Sequence, residues 1–545
     1  MGTRRIENEI NHHVTYYHYH DCRLTCVLIV SFNAVEFGKI VLRPVLARPH
    51  REKTMKKAAI KFDRRDMIRS VGATMALGAL CPQRLWGASS KYQLTDIRVP
   101  MAPDNPAVLF DAAKCVQCGQ CKTVCERMMS VSGFYDLAKS GDVPVCVNCG
   151  QCTSVCEGLA LVNRPEWQAV KAAKAAGKTV VVSISPSVRV GLAEEFGAAP
   201  GTFCEGEVVA ALRALGADYV LDTCFGADLT IMEEAAELVR RVTTADRPLP
   251  QFTSCCPAWV KFCETWYPEM LPNVSSAKSP IGMQGPTIKT YFAQRKGLDP
   301  AKIFNVALTP CTAKKFEIRR PEMNDSGFRD MDAVITTREL ADWMRAEGVD
   351  YAALKPSKFD SLMGEASGAG IIFGNTGGVM EAALRTAYWM VNGKNPPAEL
   401  LNYGPVRGMG SKKKRAYVKQ ATLELKPGLP VTVLVVHGLA HVREVIERIK
   451  AGKLKATFIE VMACEGGCIG GGGQPRAKAA PYVSRAMRQA RIDALYTDDA
   501  RGTLRFSHEN PEIQALYRDF YGKPLSPKAE KMLHTQYASR AKDLG

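Results

Sequence analysis

Glu460-Val461-Met462-Ala463-Cys464-Glu465-Gly466-Gly467-Cys468-Ile469-Gly470-Gly471-Gly472-Gly473-Gln474-Pro475 sets two thiols four positions apart in main chain with few Cβ atoms. Glycine permits φ > 0 and close approach of backbone to another body, and cysteine thiolates are soft ligands for iron–sulfur clusters. The run therefore reads as backbone against which something large presses, and a metal cluster is the expected occupant. It follows directly on Thr457–Val461, a short run that reads as a buried strand.

Working outward, the same alternation recurs. Thr179–Ile184, Tyr219–Thr223, Ile303–Leu308 and Val431–Val436 also read as buried strands, and Glu207–Leu215, Ile231–Val242, Thr337–Glu347 and Ala440–Lys450 as helices. Strands alternating with helices predict an α/β fold, α+β overall, with mainly parallel sheets. Cys311 lies just beyond the Ile303–Leu308 strand and Cys464 just beyond Thr457–Val461. Ligands of open α/β sheets gather at the carboxyl ends of strands, so a cluster cradled between two lobes is the expectation.

Eight of the 19 cysteines form two copies of C-x2-C-x2-C-x3-C: Cys115, Cys118, Cys121 and Cys125, then Cys146, Cys149, Cys152 and Cys156. This is the spacing of bacterial two-cluster ferredoxins, in which the fourth cysteine of each run ligates the other cluster. A disulfide framework or zinc sites are the alternatives. Disulfide-rich scaffolds are usually short secreted chains, and zinc sites usually pair two CxxC units or use histidine, so two [4Fe–4S] clusters fit better. Glu126 and Glu157 stand where proline often follows the fourth cysteine, a turn-shaping position and not a ligand. Cys22, Cys26, Cys81, Cys204, Cys224 and Cys263 belong to no motif and read as free thiols.

The formal charge of +17 is front-loaded: residues 1–98 hold 17 Lys/Arg and 8 Asp/Glu, a net of +9. No nucleic-acid-binding pattern accompanies it, so a solvated surface, or one suited to an acidic redox partner, is the better reading. The apolar stretch Leu24 to Leu46 is broken by Asn33, Glu36, Lys39 and Arg43, too interrupted to span a bilayer. From Met55, a basic start, Arg64-Arg65, the apolar run Ser70–Leu80 and Ala88-Ser89-Ser90 resemble a twin-arginine export signal, against the alternative of a chance Arg-Arg before a short apolar helix. Periplasmic export follows from the first reading and a cytoplasmic location from the second. The expected domains are an N-terminal extension (1–54), a signal segment (55–92), a ferredoxin-like domain (93–165), a catalytic domain (166–475) and a C-terminal tail (476–545).

Two further segments complete the central motif, Thr253-Ser254-Cys255-Cys256-Pro257-Ala258-Trp259 and Thr309-Pro310-Cys311-Thr312-Ala313-Lys314-Lys315-Phe316-Glu317. Together the three resemble the signature set of the [FeFe]-hydrogenases, in the monomeric form with a two-cluster ferredoxin domain. The tail resembles the small subunit that some members carry as a separate chain, and is expected to wrap the catalytic domain. The resemblance implies reversible 2H⁺ + 2e⁻ ⇌ H₂ at an H-cluster, a [4Fe–4S] cube held by Cys256, Cys311, Cys464 and Cys468, with the Cys468 sulfur bridging to a diiron unit carrying CO and cyanide. It implies that Lys314 donates to one cyanide, that Pro186 and Ser187 meet the other, and that Met462 and Glu317 also serve cofactor binding. Glu317 would orient Lys314; an ordinary surface pair is the alternative.

The same resemblance makes Cys255 the first proton relay, continued by Glu234, Ser275 and Glu237, with Arg241 at the surface end. Glu234 and Glu237 stand at i and i+3 and project from one helix face; by themselves such carboxylates are most often merely solvated. Implied partners are H₂ and protons, a ferredoxin or cytochrome as electron carrier, and maturation proteins. The run Gly374-Asn375-Thr376-Gly377-Gly378 is not G-x-G-x-x-G, so neither flavin nor NAD is expected. Thr309 stands where methionine is common, and Ile281-Gly282 where Gln-Gln is common, which bears on tuning and not on the cluster ligands. A cluster-carrying assembly or electron-transfer protein without the diiron unit, and an H₂ sensor, are the alternative functions; Cys255 and Lys314 argue against the first, and the lack of a visible signalling module against the second.

Overall fold

The computed structural model describes residues 97–410 and 417–545. The N-terminal extension and the twin-arginine-like segment lie outside the described residues. Among the described residues no helix is long and apolar enough to cross a membrane.

The ferredoxin-like module opens and closes with one antiparallel pair, β1 (Val108–Phe110) against β2 (Leu161–Asn163). In the following α/β region, β3 (Thr179–Ile184), β4 (Tyr219–Asp222), β6 (Ile303–Thr309) and β7 (Ala333–Thr336) form an all-parallel sheet in the order β4-β3-β6-β7. A second sheet has the order β5-β10-β9-β8, from β5 (Gln251–Phe252), β10 (Phe458–Met462), β9 (Leu429–His437) and β8 (Val418–Lys426), with only β8 antiparallel. The fold is thus α/β with mainly parallel sheets. β3 and β10 are buried almost end to end because helices cover both faces, which is why they read as continuous apolar runs.

Three strands of these sheets have no counterpart in the sequence reading: β5 and β7 are buried but have only two and four residues, and β8 is an edge strand with mixed exposure. The helix expected over Ile231–Val242 runs from Thr223 to Thr244. Its first turns are buried on every side, so no amphipathic stripe marks them in sequence.

The carboxyl ends of β3, β5, β6 and β10 lead into Ser185, Cys255, Cys311 and Cys464 respectively, and these four loops meet between the two sheets. The tail then crosses back over both halves. Arg491 pairs with Glu194 at 2.6 Å, Ser507 and Asn510 donate to buried Asp228, and Tyr517 donates to Glu233 at 2.5 Å. Its Ile513, Leu516 and Leu533 enter one apolar core with Phe225 and Leu229.

Candidate active site

The two ferredoxin-type loops have the same backbone form. Gln117 and Gly119 in the first, and Asn148 and Gly150 in the second, all have positive φ. Such alternation turns successive N–H groups inward and makes an anion-binding concavity. The thiols sort as the crossed pattern requires: Cys121 feels Cys156 and Cys118, while Cys125 groups with Cys146, Cys149 and Cys152. Cys118 is exposed, Cys121 and Cys152 buried. The described cysteines form no disulfide, and among the described residues no group of three or more His, Cys, Asp or Glu is arranged to hold a single metal ion. Backbone N–H groups instead donate to the sulfurs of Cys121, Cys146 and Cys156 at 3.3 to 3.4 Å. Those donors suit thiolates shared with a cluster.

The second loop abuts the glycine run after β10. Gln151 Nε2 donates to Cys464 Sγ at 3.2 Å and to the Gly470 carbonyl at 2.8 Å, and Thr312 Oγ1 donates to the Asn148 carbonyl at 2.6 Å. A Cβ on Gly472 would stand 2.3 Å from the Cys149 carbonyl oxygen, one on Gly471 2.4 Å from that of Pro310, and one on Gly473 2.5 Å from Thr336 Cβ. At these positions protein presses on the glycines, while Gly467 and Gly471 of the same run also line the cavity between the sheets, where the expected cluster would sit. Three cysteine-bearing segments converge on one another, and only hydrogen side chains leave room for their main chains.

Between the sheets lies a cavity of about 70 Å³. Cys256, Cys311, Cys464 and Cys468 line it, as do Cys255 and Lys314. The Ala463 N–H donates to Cys256 Sγ at 3.4 Å. Burial pushes all four thiols up, Cys311 to about 12, so a bare site would hold them protonated; a bound polycation removes that penalty. Lys314 Nζ lies 2.8 Å from Glu317 and 3.2 Å from the Cys255 carbonyl. Burial opposes its charge, but Glu317 and the neighbouring thiols outweigh it and leave the lysine above its ordinary pKa. The pair is buried, not the surface pair that was the alternative. Pro186, Ser187 and Met462 also line the cavity, and so do Thr309 and Ile281. The Ser187 hydroxyl has no hydrogen-bond partner within the protein. Four thiols, a buried cation and an orphaned donor around one volume fit a cluster with anionic ligands.

From Cys255 a line of buried groups leads outward. Burial and then Glu234 raise the Cys255 thiol well above its usual value, so it is protonated at neutral pH. Glu234 accepts from the Ser254 N–H at 3.3 Å and has one carboxylate oxygen unpaired. Burial and then Glu237 push it up to about 8. Ser275 donates to Glu237 at 2.7 Å. Burial would raise Glu237 as well, but Arg241, at 2.6 Å, outweighs it and holds the carboxyl below its usual range. Two carboxylates one helical turn apart are thus driven in opposite directions, an arrangement suited to passing a proton. Arg241 departs from expectation: it is fully buried, and Arg247, 2.8 Å from Glu237 and a third exposed, reaches solvent instead. The resemblance put Arg241 at the surface end of the route but gave no view of the Pro248, Pro272, Asn273 and Val274 carbonyls that enclose it. Gln151 and Thr223, which also face the clusters' cysteines or the cavity, carry no motif; only the place of Gln151 after Gly150 in the second cysteine run marked it.

Comparison with known proteins agrees with this geometry. Residues 178–472 match the iron only hydrogenase large subunit, C-terminal domain; residues 485–540 the iron hydrogenase small subunit; and residues 107–157 a 4Fe-4S dicluster domain. The chain is 43% identical to the NADP-reducing hydrogenase subunit HndD of Solidesulfovibrio fructosivorans, over 80% of this chain and 75% of that one. It is 31% identical to the cytosolic iron-sulfur assembly component 3 of Bos taurus, over 66% and 74%. Its structure resembles that of a single-site variant of the apo [FeFe]-hydrogenase HydA1 from Chlamydomonas reinhardtii, with a TM-score of 0.59 and 39% identity over 68% of this chain and 98% of that one. This chain therefore belongs to the [FeFe]-hydrogenases, oxidoreductases whose cofactor is an H-cluster, here accompanied by the two [4Fe–4S] clusters of a dicluster domain.

Proposed function

We propose that this protein catalyses 2H⁺ + 2e⁻ ⇌ H₂, exchanging electrons with a one-electron carrier such as a ferredoxin or cytochrome. The observation that carries the reading is the shared cavity: four cysteines, Lys314 and Cys255 line one volume, and the line of buried carboxylates ends on it. Cys256, Cys311, Cys464 and Cys468 would hold the cube of the H-cluster. When bound, the H-cluster supplies the irons at which electrons and protons combine. Lys314, fixed by Glu317, supplies a cation to an anionic ligand, the strongest class of hydrogen bond available there. Cys255 holds a proton at the cavity wall, and Glu234, Ser275 and Glu237 carry replacements inward from the Arg241 and Arg247 end. The glycine run brings the Cys149 loop against the Cys464 loop, which would set the clusters held by the two loops side by side for electron transfer.

An assembly or electron-transfer protein without the diiron unit has no use for a protonated thiol and a buried lysine around spare volume. The twin-arginine-like segment from Met55 supports a periplasmic location for the folded, cluster-loaded protein. Protein matured anaerobically should show infrared bands of metal-bound CO and cyanide and evolve H₂ from a reduced viologen dye. Intact cubane signals without those bands would sink the enzyme reading.

A further inference from the structure

The Thr223–Thr244 helix places its first residue on the cavity wall. Thr223 is 3% exposed, and its hydroxyl has no hydrogen-bond partner within the protein. Other threonines of this helix are satisfied locally: Thr230 donates to the Gly226 carbonyl at 3.0 Å, Thr243 to Val239 at 2.7 Å and Thr244 to Arg240 at 2.8 Å. Thr223 cannot do this, because at the first helical position no helical carbonyl lies four residues behind it. Buried hydroxyls are rarely left without a partner, and one that faces a ligand cavity points to a partner within it.

The surrounding electrostatics agree. The N-terminus of this 22-residue helix carries partial positive charge, which favours an anion. Its N-cap carboxylate, Asp222, does not cancel that field, since it is bound at 2.8 Å by buried Arg189 as well as by the Cys224 N–H. One turn on, Ala227 also lines the cavity, and its small side chain keeps the approach open. Neighbouring Pro280 and Ile281 offer the hydroxyl no acceptor side chain.

We propose that Thr223 and the N-terminus of its helix form a further subsite of the cavity, where the hydroxyl donates to a lone-pair-bearing diatomic ligand, cyanide or CO, of the bound cluster. This rests on the H-cluster reading of the cavity. Thr223 is a positioning residue, acting on a ligand and not on the proton or electron route.

Infrared spectra of cluster-loaded wild type, Thr223→Val and Thr223→Ser test it. Valine keeps the shape and removes the donor; serine keeps the donor. The expected result is a displaced CO or cyanide band in the valine variant, a wild-type-like spectrum for serine, and unchanged melting temperatures of the cluster-free proteins. Superimposable spectra for valine and wild type would overturn the subsite, as would an equal displacement in the serine variant, which would assign the effect to packing. Absence of CO and cyanide bands from the wild type itself would instead overturn the H-cluster reading, and this inference with it.

Discussion

Glu234 and Glu237 show what a single residue's surroundings do to it. Both are carboxylates of one helix, yet burial and the neighbouring charge push Glu234 up to about 8, while Arg241 holds Glu237 down. In the unfolded chain Glu234 ionises near 4.5, so between about pH 4.5 and 8 the unfolded state releases a proton that the folded state retains. On this group's account, stability is fully present below 4.5 and is lost as pH rises towards 8. Glu234→Gln removes that dependence, so the variant's unfolding free energy, read by denaturant titration, should gain on the wild type's between pH 5 and pH 8 by an amount on the order of a few kcal/mol. A constant difference across the range would show that Glu234 is not neutral in the folded protein. Ser275→Ala removes the hydroxyl that donates to Glu237. Turnover should fall by roughly 10²-fold or more, with CO and cyanide bands unchanged; undiminished turnover would exclude Ser275 from the route. The identities of these residues were visible only through resemblance, since the sequence alone cannot tell a buried relay from a solvated helix face.

At the scale of elements, the glycine run after β10 and the strand ends that face it decide the site. Gly472→Ala would drive a methyl into the Cys149 carbonyl and the Gly150 backbone, neither of which is a flexible side-chain end. The loops should part, costing several-fold more stability than an ordinary glycine replacement and lowering iron content. Gly393→Ala is the control: it has a positive φ of 65° but nothing within 4 Å of the new methyl, so about 1–2 kcal/mol is expected. Equal melting temperatures and equal iron in the two variants would contradict the packing argument. The strands β3, β4, β6, β9 and β10 were legible because burial writes apolar runs; β5 and β7, of two and four residues, and β8, of mixed exposure, were not.

For the molecule as a whole, the tail is part of the core. Asp228 accepts from Ser367, Ser507 and Asn510, and Glu233 accepts from Tyr517 and faces His534 at 3.0 Å, so the tail satisfies buried charge on the helix that carries the carboxylates. Ending the chain at Arg501 would strip Ile513, Leu516 and Leu533 from Phe225 and Leu229 and leave both carboxylates short of donors. Such a chain should aggregate or bind a hydrophobic dye, read by size-exclusion chromatography and fluorescence. A monodisperse product with the full-length melting temperature would show the tail to be an appendage.

By itself the sequence determined the chemistry of the ligands and the class of fold. Cysteine spacing is local and survives any packing, and buried parallel strands imprint their own composition. Only the tertiary structure decided that protein main chain crowds the glycine run, that Arg241 is enclosed while Arg247 meets solvent, that Lys314 and Glu317 pair away from water, and that the Thr223 hydroxyl is buried at the cavity wall without a partner in the protein. Those properties depend on which distant segments pack around a residue, and burial sets the strength of every charge and the cost of every missing hydrogen bond.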